Sequence, residues 1–256
     1  MNGQFFVLKD SVVREIWGKG DTILMIFAGA SAEFALNKAV DWLYYTGRLP
    51  GDSFGRLFST VSCARQIVFA EKQPTLNAIE KMNRAHSAVE SKRGISIPDW
   101  AYRDVLFMPI DYSIRSFEIL ERKLTICEKE DVFKVFREVG INMHIKELPV
   151  TYGQFENMRK LHLEQHLYNG DYTKDLYCRY RKHLGFIRYR ILLETQIVIV
   201  PNTVRKLLAH RSFSLLGPVI SAFKLSRDIH VDNTLRSPIL PSAYKGVIRS
   251  LDHFSV

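Results

Sequence analysis

Residues 125–140, TICEKEDVFKVFREVG, decide the fold class. Thr125 and Glu128 have the spacing of a capping box, in which the first hydroxyl and the third-position carboxylate satisfy each other's backbone N–H groups. Val132, Phe133, Phe136 and Val139 then follow at three- and four-residue steps and line one helix face, and Gly140 is a natural stop. The same pattern recurs at Thr151 and Gln154, after Leu148-Pro149. It predicts a second helix through Phe155, Met158 and Leu161 that ends near Asn169-Gly170.

Outward from these two, apolar residues keep helical spacing almost everywhere, and alternating strand patterns are hard to find. Helices are expected over residues 10–19, 21–46, 52–71, 75–91, 99–107, 110–124, 173–184, 186–199 and 202–209. The chain therefore reads as all-α. No linker-like run and no internal repeat divides it, so residues 1–256 read as a single helical domain.

A chain of 256 residues with 46% hydrophobic content can bury a full-sized core, which argues against disorder. Cys63, Cys127 and Cys178 are odd in number and far apart, giving neither a disulfide framework nor a paired-cysteine metal site, and a reducing compartment fits best. Thr22 to Ala32 is the most apolar early stretch, but it is too short to span a bilayer. A cytoplasmic protein that crosses no membrane is expected.

The net charge of +9 is unevenly placed. Residues 1–150 hold 20 basic and 19 acidic groups, and residues 151–256 hold 16 and 8. The excess includes Arg179, Arg181, Lys182, Arg188, Arg190, Arg205, Lys206 and Arg211, a basic surface that could meet an anionic membrane or be simply a solvated helix face. No nucleic-acid motif accompanies it, so no nucleic-acid partner is expected.

The commoner chemistries are excluded by spacing. No histidine has a glutamate three residues before it, which the di-iron carboxylate bundle requires. His162 and His166 lie one helical turn apart, but Leu163 follows His162, so the zinc-protease pattern fails. That pair reads first as a polar helix face and only remotely as a metal site. A Gly-x-Ser-x-Gly elbow, a Gly-rich phosphate loop and a Cys-x-x-Cys-His haem attachment are all missing.

His86 has the most informative setting. Ile79, Met82, His86 and Val89 share a stripe, which turns the imidazole inward. On residues alone, a core histidine satisfied by a neighbour explains this best, yet an axial haem ligand needs the same placement. On the preceding helix Arg56, Ser59, Thr60 and Cys63 share a polar face, which an interhelical ion pair and Thr60 back-bonding also explain.

The order Arg56-x-x-x-Thr60, Val68-Phe69, Ala85-His86-Ser87-Ala88-Val89 resembles the central pattern of the latex-clearing protein (rubber oxygenase) family, which includes the mycophenolic-acid pathway oxygenase. Trp100-Ala-Tyr102, Leu124-Thr125, Gly140, Leu148-Pro149-x-Thr151-Tyr152 and Val200-Pro201-x-x-Val204-Arg205 follow in the family's order, so the likeness covers about residues 11–210.

The resemblance implies a globin-like helical core and a b-type haem, with molecular oxygen as co-substrate for cleaving carbon–carbon double bonds in isoprenoids. It makes His86 the iron ligand, with Arg56 and Thr60 lining the distal or propionate side. Asp41, or else Glu33, takes the place of the family's distal carboxylate base. Trp42, Tyr44 and Tyr45 would wall an apolar substrate channel or simply pack the core. Rubber oxygenases carry a lysine just before the threonine where this chain has Ser59, so no distal lysine ligand is expected. The expected function is a haem-dependent oxygenase acting on an apolar, isoprenoid or lipid-like molecule, with peripheral contact to an anionic membrane. The rival is a non-enzymatic helical protein that binds a lipid or a partner.

Overall fold

The computed structural model describes residues 4–45 and 63–218. Its elements are α1 (Val12–Trp17), α2 (Gly20–Leu36), α3 (Val40–Tyr45), a helical stretch at residues 63–69 (α4), α5 (Lys72–Arg93), α6 (Asp99–Leu120), α7 (Ile126–Asn142), α8 (Tyr152–Gln165), α9 (Asp171–Ile199) and α10 (Asn202–Leu207). Among the described residues the only β pairing is two isolated bridges, Phe5 with Glu71 and Asn37 with Leu167. The fold is all-α. No described helix is long and apolar enough to cross a membrane.

The two capped helices form as their sequences dictate, with one difference. At α7 the Thr125 hydroxyl accepts from the Glu128 N–H and the Glu128 carboxylate accepts from the Thr125 N–H, a complete capping box. At α8 the Thr151 hydroxyl accepts from the Gln154 N–H, but the Gln154 side chain accepts from Val150, one residue earlier. Helix α8 also ends at Gln165, short of Asn169-Gly170. The chain there leaves the helix to meet the end of α2: the Lys38 N–H donates to His166 and the Tyr168 N–H donates to Leu36.

Three other expectations are revised. The one helix expected over 21–46 is two, α2 and α3, within the described residues, because the Asn37 side chain accepts from the Ala39 N–H at 2.7 Å and turns the chain. The helices expected over 99–107 and 110–124 are one helix, α6, that runs through Pro109 and ends at Leu120. Pro109 removes one helical hydrogen bond, but the faces on either side of it are buried, and packing outweighs local propensity. The break expected between residues 184 and 186 appears as a kink at Gly185, whose φ of 70° suits glycine alone.

The core is built around α2, which packs chiefly against α6 and α9, with α7 behind α6 and α1 across both. Gly29 lets α2 and α6 approach closely: a Cβ there would lie 2.3 Å from the Tyr112 ring. Trp17, Ile26, Leu36, Phe107, Phe117, Leu176 and Tyr180 fill the centre. Into this apolar interior α2, α6 and α8 also send charged side chains.

Candidate functional site

The structure places the expected site residues unequally. Arg56, Ser59, Thr60 and the side chain of Tyr45 lie outside the described residues. His86 is on α5, half-buried, its ring edge-on to Tyr102 at 5.1 Å. Its Nδ1 is buried with no hydrogen-bond partner. Burial pushes its pKa below the ordinary imidazole value, Glu90 opposing, so the ring is held neutral. Beside it lies a cleft of about 280 Å³ whose walls include Asn83, Glu90, Tyr102 and His144. The expected helical stripe is real but graded: Ile79 is fully buried, whereas Met82, His86 and Val89 are half-buried.

Asp41, on α3, is tied to the same helix. Its Oδ2 accepts from Arg93 at 2.6 Å, and Arg93 also stacks over Trp42 at 4.0 Å. Arg93 lies seven residues beyond His86 on one face of α5, about two turns or roughly 10 Å along the helix axis. Tyr44 stacks on Tyr172 at 4.1 Å and donates to Asp175 at 2.6 Å. That aromatic group packs against α9.

Glu33, the other candidate base, sits elsewhere. It is fully buried on α2, and Arg159 of α8 clasps both its oxygens. Tyr112 of α6 donates to its Oε2 at 2.8 Å, and His162 Nε2 lies 2.9 Å from Oε1. Burial raises its pKa, but Arg159 and His162 outweigh that and hold the carboxyl well below the usual range. Glu33 is thus a permanently ionised anchor with its lone pairs used, and a poor proton acceptor. Arg159 also binds Asp111 at 2.9 Å, and Asp111 takes Arg115 at the rim at 2.8 Å.

On the far side of His162 stands Asp104 of α6. Its Oδ2 lies 2.7 Å from His162 Nδ1 and 2.6 Å from His166 Nδ1. The His166 contact is an aligned hydrogen bond; the His162 contact is equally close but off the line of a hydrogen bond, leaving that nitrogen without a partner. Burial lowers the His162 pKa, while Asp104 and Glu33 raise it and prevail. Among the described residues, Asp104, His162 and His166 are the group whose ligand atoms converge, all within 4.8 Å of one another. This donor set suits a metal ion.

The histidine pair was visible in the sequence, but Asp104, Arg159 and Tyr112 were not singled out. A signal was present. Asp104 lies between buried Ala101 and Met108, and Arg159 between buried Phe155 and His162, each a charged residue on its helix's inward stripe.

Comparison of the chain with protein families, with curated proteins and with solved structures found no match.

Proposed function

We propose that this chain is a haem-dependent oxygenase acting on an apolar, isoprenoid or lipid-like molecule, as its resemblance to rubber oxygenases implies. The observation that supports this best is His86. An axial ligand must be a neutral imidazole, and His86 meets that need beside a cleft whose walls are mostly polar, with Ile97, Met143 and Ile145 as their apolar part. Haem b would supply oxygen activation there.

The chain's own residues would hold and orient. His86 would bind the iron, and Tyr102, edge-on to it and donating to Glu90, would fix the ring plane. Asp41 would serve as proton acceptor. Arg93 occupies its Oδ2, while Oδ1 has a long contact with the Tyr172 hydroxyl, 3.4 Å, to give up.

Delivery of such a substrate suits a membrane surface. At the Gly185 kink Phe186 and Ile187 are 68% and 72% exposed, flanked by Arg181, Lys182, Arg188 and Arg190. Apolar tips inside a basic ring are the chemistry of peripheral binding to anionic lipid.

One experiment addresses both points: haem-loaded protein is mixed with anionic liposomes carrying a polyisoprenoid. The reading predicts flotation at low salt that weakens at high salt, with oxygen uptake and carbonyl-ended products that Asp41→Asn reduces at least about tenfold. No products from haem-loaded protein would sink the oxygenase reading in favour of a binding protein.

A further inference from the structure

We propose that Asp104, His162 and His166 bind a divalent transition-metal ion, zinc by preference, at a site separate from His86 and independent of the oxygenase reading. His162 and His166 stand one turn apart and so face the same way, and Asp104 meets them from α6. The His166 backbone is stitched to the end of α2 through Lys38 and through the neighbouring Asn37–Leu167 bridge.

The setting of His162 points the same way. Its Nε2 lies 2.9 Å from Oε1 of Glu33, which Arg159 and Tyr112 hold rigid, so the ring is fixed with Nδ1 turned toward Asp104. That nitrogen is 98% buried with its residue, aims at Asp104, and has no aligned partner. A carboxylate gripping the far nitrogen of a ligating imidazole is also the outer support that metal-bound histidines ordinarily have.

Charge favours the same occupant. Glu33 and Asp111 are paired with Arg159 and Arg115, whereas Asp104 is paired with the two imidazoles. Two imidazoles and one carboxylate suit zinc rather than calcium or magnesium, which take oxygen ligands. Bonds of about 2.0–2.1 Å would require the Asp104 oxygen to move back by only about 0.6 Å from each nitrogen. Three protein ligands leave a fourth position for water.

The test uses the full chain, stripped with chelator and titrated with Zn²⁺ against a chromophoric competitor, then with Co²⁺ for its visible spectrum. The expected result is one equivalent bound, a tetrahedral cobalt band without thiolate charge transfer, and at least about 100-fold weaker zinc binding in His166→Ala. His166→Gln, which can keep the Asp104 hydrogen bond but offers no imidazole, should lose the band too, while His86→Ala should keep it. Absence of the band from the wild-type chain, or equal zinc affinity in the wild type and both His166 variants, would overturn the proposal and leave a proton shared between the imidazoles and Asp104.

Discussion

Arg159 has no exposed face: it is buried between Glu33 and Asp111 and lies 5.9 Å from the Tyr112 ring. A buried ion pair contributes modest net stability because desolvation offsets the attraction, but removing one partner strands the other. Arg159→Met should therefore cost about 3–5 kcal/mol in urea unfolding, and the double variant with Glu33→Leu should recover at least half of it. A double variant no more stable than Arg159→Met would mean that the pair is not the main source of the loss. This network also marks the limit of the sequence. His162 and His166 could be placed on one face by counting, and Asp41 and Glu33 could be named as carboxylates. Which one was free could not be read, because Glu33 meets Arg159 across 126 residues of chain and only the tertiary fold makes the contact.

Elements were legible where local chemistry writes them. The α7 capping box and the break between residues 184 and 186 both follow from residues within a few positions. Where distant packing decides, local reading failed: α6 continues through Pro109, and α8 stops early to pair with α2. The cap carries its own prediction. Arg122 and the Thr125 N–H hold Glu128 at a pKa of about 2, against an ordinary value of 4.5. A carboxyl depressed by folding stabilises above its unfolded pKa and loses that contribution as pH falls through the folded one. Thermal melts of the wild type and Glu128→Gln should thus differ by about 1 kcal/mol above pH 5 and converge between pH 4.5 and about 2. A gap that persists to pH 2 would show that the side-chain amide, not the charge, matters.

At the scale of the whole molecule, an apolar interior around α2 carries two polar features on different helices. One is the His86 face of α5 with Asp41; the other is the Glu33–Arg159–His162–Asp104 network between α2, α6 and α8. The all-α architecture came from periodicity alone, whereas the role of His86 rests on an ordered set of motifs whose distal members, Arg56 and Thr60, lie outside the described residues. The central claim is that His86 holds iron. The most direct measurement is the absorption spectrum of the chain produced with added haem precursor, beside His86→Ala. The account predicts a Soret band in the wild type that the variant loses while its helical circular dichroism is unchanged. A chain that stays colourless after haem reconstitution, or a band that survives in His86→Ala, would contradict it.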